Sequence, residues 1–309
     1  MLMQLLSQQS KLTEGQLAYY AETASVRYRV YEIDKRDGGK RLIEHPSRPL
    51  KLLQRWINSS LIENLPVHRC ATAYRKGAGI KLNVMRHART NYTVRIDFQS
   101  FFPSFKISGI RKYLKHVRDN GTVLSLRDIE FIAKIVTRNS ALTIGAPTSP
   151  KLTNAMMYEF DASLDLWCRE KNLIYTRYAD DIFVSAHKRD QLQNVRSKIA
   201  TLCRKFPYAK LQINDDKTLH LSRKYHRSVT GMVISSTGHL SLGRDRKRMI
   251  RSLVFKHLNE KLGVEDYGKT VGLLAFAFDV EKTFYDSLCR KFAIPDILKT
   301  IREIEPKIE

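Results

Sequence analysis

The strongest constraint on the fold is a pair of neighbouring acids between two apolar runs. Residues 174–178 and 182–185 are rich in β-branched and aromatic side chains, which predicts two short strands joined by a turn at 179–181. Two like charges at a hairpin tip repel each other, so Asp180 and Asp181 have little structural use there. One interpretation is a solvated turn. The other is a site for hard divalent cations, which prefer carboxylate oxygens.

A third acid ends another predicted strand. Asp97 follows the alternating Val94 and Ile96, which places it near the carboxyl end of that strand. Asp97 and Asp180 are therefore expected to be acids that distant segments bring together. Such a pair suits a two-metal site, in which metals about 4 Å apart hold the attacking and leaving oxygens of a phosphoryl displacement.

The two acidic motifs resemble the palm motifs of reverse transcriptases. Tyr178-Ala-Asp-Asp181 and the stretch 97–102 carry the resemblance, and their details are most similar to bacterial retron enzymes. The resemblance implies an α/β (α+β) right-hand polymerase with fingers, an antiparallel palm sheet and a helical thumb. It also implies that Asp97, Asp180 and Asp181 are catalytic and hold two Mg²⁺ ions, for which Mn²⁺ can substitute.

Further motifs follow in the order of the retron family. Residues 41–48 with 50–54 resemble the first finger motif, and residues 73–80 resemble the second. Residues 145–150 resemble the fourth motif, except that Ile144 stands where the family usually has Gln, which removes one polar contact near the nucleotide. Residues 211–217 resemble the sixth. There the family implies that Lys217 approaches the triphosphate and assists departure of pyrophosphate as an acid.

An aromatic residue is expected to select the sugar of the incoming nucleotide. The fifth residue after Asp97 is Phe102, and in the family a bulky ring at this offset excludes a 2′-hydroxyl and favours deoxynucleotides. The alternative is that Phe101 and Phe102 belong to the core, where at least one is expected because adjacent strand positions face opposite ways. The nucleotide contacts implied by the resemblance are Arg41, Phe98, Phe102, Gly145, Ala146 and Pro147.

The resemblance also implies contacts to RNA and primer. Asn83 and His87 lie four residues apart on a predicted helix and match a retron signature, in which Val84 replaces the usual Ala; the alternative is a polar pair that packs the helix. Residues 228–235 are predicted to form one strand, and within them Val229-Thr-Gly231 matches a signature of the seventh motif. The implied RNA and primer contacts are Asn83, His87, Val229, Thr230, Gly231, Arg244, Arg248 and Arg251.

The charge of the chain predicts a polyanionic partner. Lys and Arg total 54 against 31 acids, which gives a net charge of +23 spread along the whole length. A merely basic protein is the alternative. A hairpin predicted over 26–43 carries Arg27, Arg29, Lys35, Arg36, Lys40 and Arg41, and is either a solvated edge or a phosphate contact. A basic helix is predicted from Arg244, with Met249, Ile250, Leu253 and Val254 as its apolar stripe.

The motifs divide the chain into four expected regions. These are an N-terminal helical extension (1–25), fingers (26–91), palm (92–235) and thumb (236–309), with 106–150 shared between fingers and palm. Outside the thumb, the predicted helices cover 1–24 with a break near Gly15, 50–65, two segments within 106–140, 151–171 with Ser149 as N-cap, and 188–206. Three helices are predicted in the thumb: one that begins at Arg244, one over 271–280 and one from Phe284 to Ile304.

The remaining expectations concern location and partners. Four isolated cysteines predict reduced thiols in a cytoplasmic protein, and the lack of a long apolar run predicts no membrane partner. A retron enzyme would bind its own structured non-coding RNA, use dNTPs, prime from a 2′-hydroxyl and make a branched RNA–DNA product, commonly in anti-phage defence with a separate effector protein. Other bacterial reverse transcriptases and a catalytically silent RNA-binding scaffold are the alternatives.

Overall fold

A computed structural model describes residues 1–34, 38–225, 227–235 and 237–303 of the 309-residue chain. The predicted contacts of Lys35 and Arg36 and the predicted helix end at Ile304 lie outside these residues. The strands are β1 (Tyr28–Asp34), β2 (Lys40–Pro46), β3 (Tyr92–Phe98), β4 (Ile174–Tyr178), β5 (Asp181–Ala186), β6 (Ile213–Ser222), β7 (Arg227–Val229), β8 (Met232–Ile234) and β9 (Leu240–Ser241).

Helices supply most of the remaining described chain. They are α1 (Leu2–Ser10), α2 (Glu14–Glu22), α3 (Arg48–Ser60), α4 (Ile80–His87), α5 (Phe101–Ser104), α6 (Ile107–Asp119), α7 (Leu126–Val136), α8 (Thr148–Met156), α9 (Tyr158–Glu170), α10 (Val195–Lys205), α11 (Arg244–Leu258), α12 (Val264–Val280), α13 (Lys282–Phe292) and α14 (Ile297–Glu303). None of the helices in the described residues combines the length and apolar character needed to cross a bilayer.

The chain forms two compact units. The first comprises Met1–Gly79 and Val94–Leu219, and the second comprises Ile80–Thr93 and His220–Glu309. In the first unit, strands are ordered β4-β5-β3-β6 in one sheet, and β1 pairs with β2 in a separate antiparallel hairpin. Helices α3, α8 and α2 pack with α7 or with one another, and α9 packs on β4, so the apolar faces of these helices form the core.

Local signals explain the N-terminal helices of the first unit. Thr13 caps α2 with a complete capping box, in which its side chain accepts from the Gln16 amide and Gln16 bonds back to the Thr13 amide. The expected break near Gly15 is therefore confirmed to within a few residues: it lies at 11–13, and Gly15 is in the first turn of α2. Asp128, at the start of α7, accepts a hydrogen bond from the Met3 amide at 2.9 Å and so anchors α1.

The second unit combines a small sheet with a helical bundle. Strands β7, β8 and β9 form an antiparallel sheet, α4 packs on β8, and α12 packs against α11, α13 and α14. The predicted third thumb helix is in fact two helices, α13 and α14. Pro295 stands between them and disfavours helical backbone in the residue before it. The predicted apolar stripe of α11 is confirmed for Ile250, Leu253 and Val254, but Met249 is exposed.

Three further element predictions need correction. The stretch predicted as one strand over 228–235 is the hairpin β7–β8. The helix predicted over 151–171 begins earlier, at Thr148, and divides at Met157. Ser149 does not cap it, because Pro147 occupies the N-cap and the Ser149 hydroxyl is buried inside the first turn.

Candidate active site

Two acids meet at neighbouring strand ends of the four-stranded sheet. Asp180 lies in the two-residue turn between β4 and β5, where Tyr178 pairs with Asp181, so the predicted hairpin is confirmed. Asp97 is the penultimate residue of β3, and β3 is the strand next to β5. The sheet therefore brings together two carboxylates that are far apart in sequence.

The carboxylates lie close enough to perturb one another. Burial, followed by the negative charges of Asp181 and Asp97, raises the pKa of Asp180 to about 6. A bound divalent cation would relieve this repulsion, and carboxylate oxygens are the ligands that hard cations prefer. Among the described residues Asp97 makes one long hydrogen bond, 3.5 Å from its Oδ1 to Asn214 Nδ2, which leaves most of its acceptor capacity for an ion. Asp97 and Asp180 therefore fit a divalent metal.

Asp181 is engaged differently. Arg95 donates to both of its oxygens, from Nε at 2.8 Å and from Nη2 at 3.1 Å. Burial raises the pKa of Asp181, whereas the hydrogen bonds from Arg95 and the nearby charge of Lys217 oppose that rise. A bidentate guanidinium satisfies a carboxylate well, so in this structure Asp181 has less capacity for metal than Asp180.

Another group of potential ligands lies elsewhere in the first unit. His68, Cys70 and Asp165 are the one trio in the described residues whose ligand atoms all lie within 4.8 Å of one another. However, Arg69 and Arg169 both pair with the Asp165 carboxylate, and the Cys70 amide donates to the Nδ1 atom of His68. Two guanidinium groups beside one carboxylate disfavour a cation, so this trio is better explained as a structural network.

Cationic and aromatic side chains flank the acids. The positive charge of Arg41, on β2, lowers the pKa of Asp180, which opposes the effect of burial. Burial and then the charge of Asp180 raise the pKa of Tyr74. The structure thus brings Arg41, Tyr74 and Lys217 into electrostatic contact with the acidic group, and their mixture of charges suits a ligand with several phosphates.

The aromatic residues after Asp97 divide into core and surface. Phe101 is 3% exposed, which confirms that one of the pair belongs to the core, although both lie on helix α5 rather than on a strand. Phe102 is only partly buried and is available to a ligand. Phe98 is 2% exposed and stacks on Phe101 at 5.8 Å between ring centroids, so it belongs to the core, and the predicted nucleotide contact of its side chain is wrong.

The loop before α8 is held against the β1–β2 hairpin. Gly145 has a φ of 122°, and a Cβ there would lie 2.8 Å from the Glu44 carbonyl oxygen, so only glycine fits. The Glu44 amide donates to the Ile144 carbonyl at 2.8 Å, and Asn58 donates to the Pro147 carbonyl at 2.9 Å. Gly145 is exposed, whereas Ala146 is buried, so Gly145 is the more accessible of the two to a nucleotide.

Comparison with known proteins identifies the chain's relatives. The sequence profile described as Reverse transcriptase (RNA-dependent DNA polymerase) matches residues 33–234. Retron Ec83 reverse transcriptase of Escherichia coli is 33% identical over 90% of this chain and 91% of that protein. Retron Ec73 reverse transcriptase of Escherichia coli is 34% identical over 90% of each chain. The chain belongs to the retron reverse transcriptases. It is an RNA-directed DNA polymerase, and its family uses divalent metal ions.

Solved structures confirm the fold class of this retron reverse transcriptase. Telomerase from Candida tropicalis in complex with a fragment of telomeric RNA matches with a TM-score of 0.53 and 12% identity over 91% of this chain. Telomerase from Candida albicans matches with a TM-score of 0.51 and 13% identity over 95%. The retron enzyme spans only 58% and 63% of these two telomerase chains. The predicted α+β right-hand fold is shared with them.

In the second unit of the enzyme, the paired residues of α4 are buried. Asn83 and His87 are both 0% exposed, and Asn83 Nδ2 lies 3.5 Å from the Thr230 hydroxyl. Burial, followed by the charges of Arg227 and Arg86, lowers the pKa of His87 to about 3, so its ring is neutral. This geometry favours the packing interpretation of the pair, in which α4 supports the β7–β8 turn.

The Val-Thr-Gly signature forms that turn. Val229 is fully buried and pairs with Met232, whereas Thr230 and Gly231 make the two-residue connection with φ values of 45° and 75°. A turn with two positive φ angles matches the twist of a hairpin, and glycine is the residue that adopts this backbone most easily. Of the three signature residues, Thr230 and Gly231 are accessible to RNA.

The basic helix α11 presents two kinds of cation. Arg244, Arg248 and Arg251 are exposed and share one face at helical spacing. By contrast, Arg246 donates to the Gly231 carbonyl at 3.1 Å, and Lys247 pairs with Glu281 at 2.5 Å. The three arginines predicted to contact RNA are therefore exposed, although Arg251 also packs over the Phe284 ring, whereas Arg246 and Lys247 bond within the second unit.

A basic groove lies at the base of the β1–β2 hairpin in the first unit. It has a volume of about 650 Å³. Its cationic and titratable lining residues are Arg27, Arg29, His45, Arg48, Lys51 and Arg55. Of these, the arginines and the lysine form no ion pair with an acid of the described residues, so their charge is available to phosphate groups. Most residues of the two hairpin strands are exposed, and Lys40 pairs with Glu32 at 3.0 Å, so a phosphate contact of the hairpin stays a prediction.

Two site residues were missed by the sequence analysis. Arg95 lies two positions before Asp97 on β3, so the strand alternation places both on one face, and this signal could have found it. Tyr74 has a φ of 55°, an uncommon value for a residue other than glycine, and only the structure places it beside Asp180. Arg95 and Tyr74 are neighbours of the acids, and neither offers a further carboxylate to a metal ion.

Proposed function

We propose that this enzyme copies its own structured non-coding RNA into multicopy single-stranded DNA that stays joined to the RNA. The observation that carries the proposal is the juxtaposition of Asp97 and Asp180 at adjacent strand ends, with Arg41 and Lys217 acting on the same group of acids. Relatives that are 33–34% identical over 90% of the chain are named as retron enzymes, which supports the RNA-templated reaction.

In this proposal Asp97 and Asp180 hold two Mg²⁺ ions, for which Mn²⁺ can substitute. When bound, the metals supply activation of the primer hydroxyl and neutralise charge on the leaving pyrophosphate. Asp181 contributes charge to the metal site while its bidentate bond with Arg95 fixes the start of β5. Arg41 and Lys217 hold the triphosphate of the dNTP, and Lys217 protonates the departing pyrophosphate.

The residues around the acids define nucleotide selection. Phe102 packs against the sugar and excludes a 2′-hydroxyl, and the backbone of Gly145–Pro147 supports the nucleotide. Buried Phe98 acts indirectly, by packing on Phe101. Ile144 supplies an apolar side chain in place of the amide that the family usually has. Its own carbonyl is already bonded to Glu44, so the expected consequence is weaker dNTP affinity rather than a misplaced loop.

The proposal divides the chain by role. Residues 26–91 act as fingers, 92–235 as the palm and 236–309 as the thumb, with 1–25 as a helical extension and 106–150 shared between fingers and palm. The thumb face of Arg244, Arg248 and Arg251, with Thr230 and Gly231, binds RNA and primer, while Asn83 and His87 act indirectly by supporting the turn. The basic side chains that line the groove at the base of the β1–β2 hairpin make a further contact with phosphate groups.

The biological setting follows from the retron family. We propose anti-phage defence with a separate effector protein as partner. The four cysteines are free thiols, and three of them are buried, which agrees with the proposed cytoplasmic location.

A primed-template extension assay tests the polymerase part of the proposal. The purified enzyme should extend a DNA primer on an RNA template with dNTPs, lose activity when EDTA removes divalent metal, and regain it when Mg²⁺ or Mn²⁺ is restored. A folded protein that binds RNA but never extends the primer would instead be the catalytically silent scaffold.

A further inference from the structure

A buried polar network lies directly behind the turn that carries Asp180. Arg177, on β4, is 0% exposed, and its guanidinium binds the equally buried Asp161 of α9 through Nε at 2.8 Å and Nη2 at 2.6 Å. The Tyr175 hydroxyl donates to the same carboxylate at 2.6 Å. A pair of this kind is costly to desolvate, and apolar side chains of the same volume would often serve packing equally well. Its presence therefore calls for a role that apolar residues cannot fill.

The third nitrogen of the guanidinium indicates that role. Arg177 Nη1 donates to the Ala179 carbonyl at 2.9 Å and to Asn154 Oδ1 at 3.1 Å. Ala179 has a φ of 58°, a left-handed backbone conformation that costs energy for any residue with a Cβ. Such a conformation persists only where its surroundings determine it. The guanidinium supplies this constraint one residue before Asp180.

The network also reaches the segment that carries Tyr74. Asn154 Nδ2 donates to the Ala73 carbonyl at 2.8 Å, and the Thr72 amide donates to the Arg177 carbonyl at 2.8 Å. Arg177 therefore bonds directly to the turn that carries Asp180, at the Ala179 carbonyl. Through Asn154 it is also linked to the backbone of Ala73, the residue before Tyr74. Both ends of this connection lie in the first unit.

We propose that Arg177 is a positioning residue, which sets the metal affinity of Asp180 by fixing the Ala179 carbonyl from inside the protein. Asp161 keeps the guanidinium charged and aimed, and Asn154 ties it to the Tyr74 segment. The inference rests on the proposed function, since it assumes that Asp180 binds metal. Residues that orient a metal ligand typically change metal affinity or activity by roughly 10–100-fold when they are mutated.

The decisive variant is Arg177→Lys. Lysine keeps the positive charge beside Asp161, but one ammonium on a flexible stem cannot hold the carboxylate, the Ala179 carbonyl and Asn154 together. The first readout is Mn²⁺ binding to the full-length protein, followed by electron paramagnetic resonance without substrate. The second is the Mg²⁺ concentration that gives half-maximal primer extension, compared with the KM for dNTP at saturating Mg²⁺. The proposal predicts that Mn²⁺ affinity falls and the Mg²⁺ requirement rises, each by roughly tenfold, while the dNTP KM changes little.

Arg227→Lys is the matched control. Arg227 is also 0% exposed and donates to two backbone carbonyls, those of Thr90 and Ala88, but it lies in the second unit. Its replacement should lower stability while leaving Mn²⁺ affinity at the wild-type value. If Arg177→Lys does not fold, Tyr175→Phe provides the test, because it removes only the hydroxyl that orients Asp161 and should weaken Mn²⁺ binding in the same direction by a few-fold.

The outcomes separate the two levels of the account. If folded Arg177→Lys, or Tyr175→Phe in its place, keeps the wild-type Mn²⁺ affinity and Mg²⁺ requirement, the positioning role is overturned while the proposed metal site stands. Equal loss of Mn²⁺ affinity in Arg227→Lys would also overturn it, because the effect would then be one of general destabilisation. If Asp180→Asn itself binds Mn²⁺ like the wild type and still extends primers, the proposed metal site fails instead.

Discussion

Two hairpin turns in this enzyme each have a carbonyl that accepts a hydrogen bond from an arginine, but the two arginines are held differently. The β4–β5 turn consists of Ala179 and Asp180, and the β7–β8 turn consists of Thr230 and Gly231. Both connections have two residues; Ala179 alone has a positive φ in the first, whereas Thr230 and Gly231 both have one in the second. In each, an arginine donates to a turn carbonyl: Arg177 to that of Ala179, and Arg246 to that of Gly231.

The difference lies in how each arginine is held. Arg177 is fully buried and bound on two sides by Asp161, so it has one available position. Arg246 makes its bond at the surface and packs over the Phe276 ring, 5.5 Å from its centroid. Metal chemistry needs ligands placed within fractions of an ångström, whereas RNA phosphates tolerate small shifts of a surface cation. The β4–β5 turn (Ala179 and Asp180), called the rigid turn below, therefore suits metal binding. The β7–β8 turn (Thr230 and Gly231), called the adaptable turn, suits the proposed RNA contact.

Removing the acid of the rigid turn should give the largest effect. Asp180→Asn keeps the shape of the side chain but removes a metal ligand worth several kcal/mol to the transition state, so DNA synthesis should fall by at least about a thousandfold. RNA binding, measured by filter retention, should stay at the wild-type value. The matched control is Asp215→Asn, because Asp215 is an exposed acid held by Arg196 and should be dispensable. Loss of synthesis and RNA binding together in folded Asp180→Asn would contradict the separation of roles.

The same acid should make stability depend on pH in the absence of metal. The pKa of Asp180 is raised from 3.8 to about 6, so the folded state retains a proton that the unfolded chain releases. Stability from this group is fully present below about pH 4 and is lost as the pH rises to about 6. The loss corresponds to at most about 3 kcal/mol.

Denaturant unfolding in EDTA measures this contribution. At pH 7, Asp180→Asn should unfold with a larger free energy than the wild type, because the amide has no charge to bury. At pH 4 the two proteins should be nearly equal. An Asn variant that is less stable than the wild type at pH 7 would show that the carboxylate is not under electrostatic stress.

The adaptable turn should be sensitive through its glycine. Gly231→Ala places a Cβ on a backbone with a φ of 75°, which should lower the free energy of unfolding by about 1 kcal/mol. The turn would also shift relative to α11, so RNA binding should weaken a few-fold, while Mn²⁺ binding stays unchanged. Weaker Mn²⁺ binding with intact RNA binding would reverse the assigned roles of the two turns.

The smallest stability change is expected at Ala179, the residue that precedes Asp180 in the rigid turn. Ala179→Gly relieves the strain of a positive φ but gives the unfolded chain more freedom, and these effects nearly cancel, leaving a change below about 0.5 kcal/mol. Calorimetry of the variant beside Gly231→Ala would compare the two turns directly. A gain of more than about 1 kcal/mol would mean that Ala179 stores more strain than its contacts indicate.

The sequence predicts those parts of the fold that have local signals. The β4–β5 hairpin follows from two apolar runs around two acids, and α6 and α7 follow from their periodicity and from the break at Asn120-Gly121. The β7–β8 hairpin was missed because apolar residues flank both sides of Thr230-Gly231 and resemble one continuous strand. Similarly, the helix predicted from Phe284 onwards has a nearly uninterrupted pattern, and Pro295 was the only local sign of its division.

The motifs of the sequence predicted the acids of the candidate site and two of its cations, Arg41 and Lys217. Motif spacing led to Asp97 and Asp180, and strand alternation could also have led to Arg95. The roles of Arg177 and Tyr74 depend on tertiary contacts with Asp161 and Asp180, and no pattern along the chain records such contacts. The burial of Phe98, Asn83 and His87 is likewise a tertiary outcome, although packing of the helix was already the alternative interpretation for Asn83 and His87.

The most direct test of the central claim is to purify the enzyme together with its native flanking locus and sequence the nucleic acid that it carries. The account predicts a single short DNA joined to RNA through a 2′,5′ branch, present with the wild type and absent with Asp180→Asn. Heterogeneous RNA with no linked DNA in the wild-type preparation would contradict it.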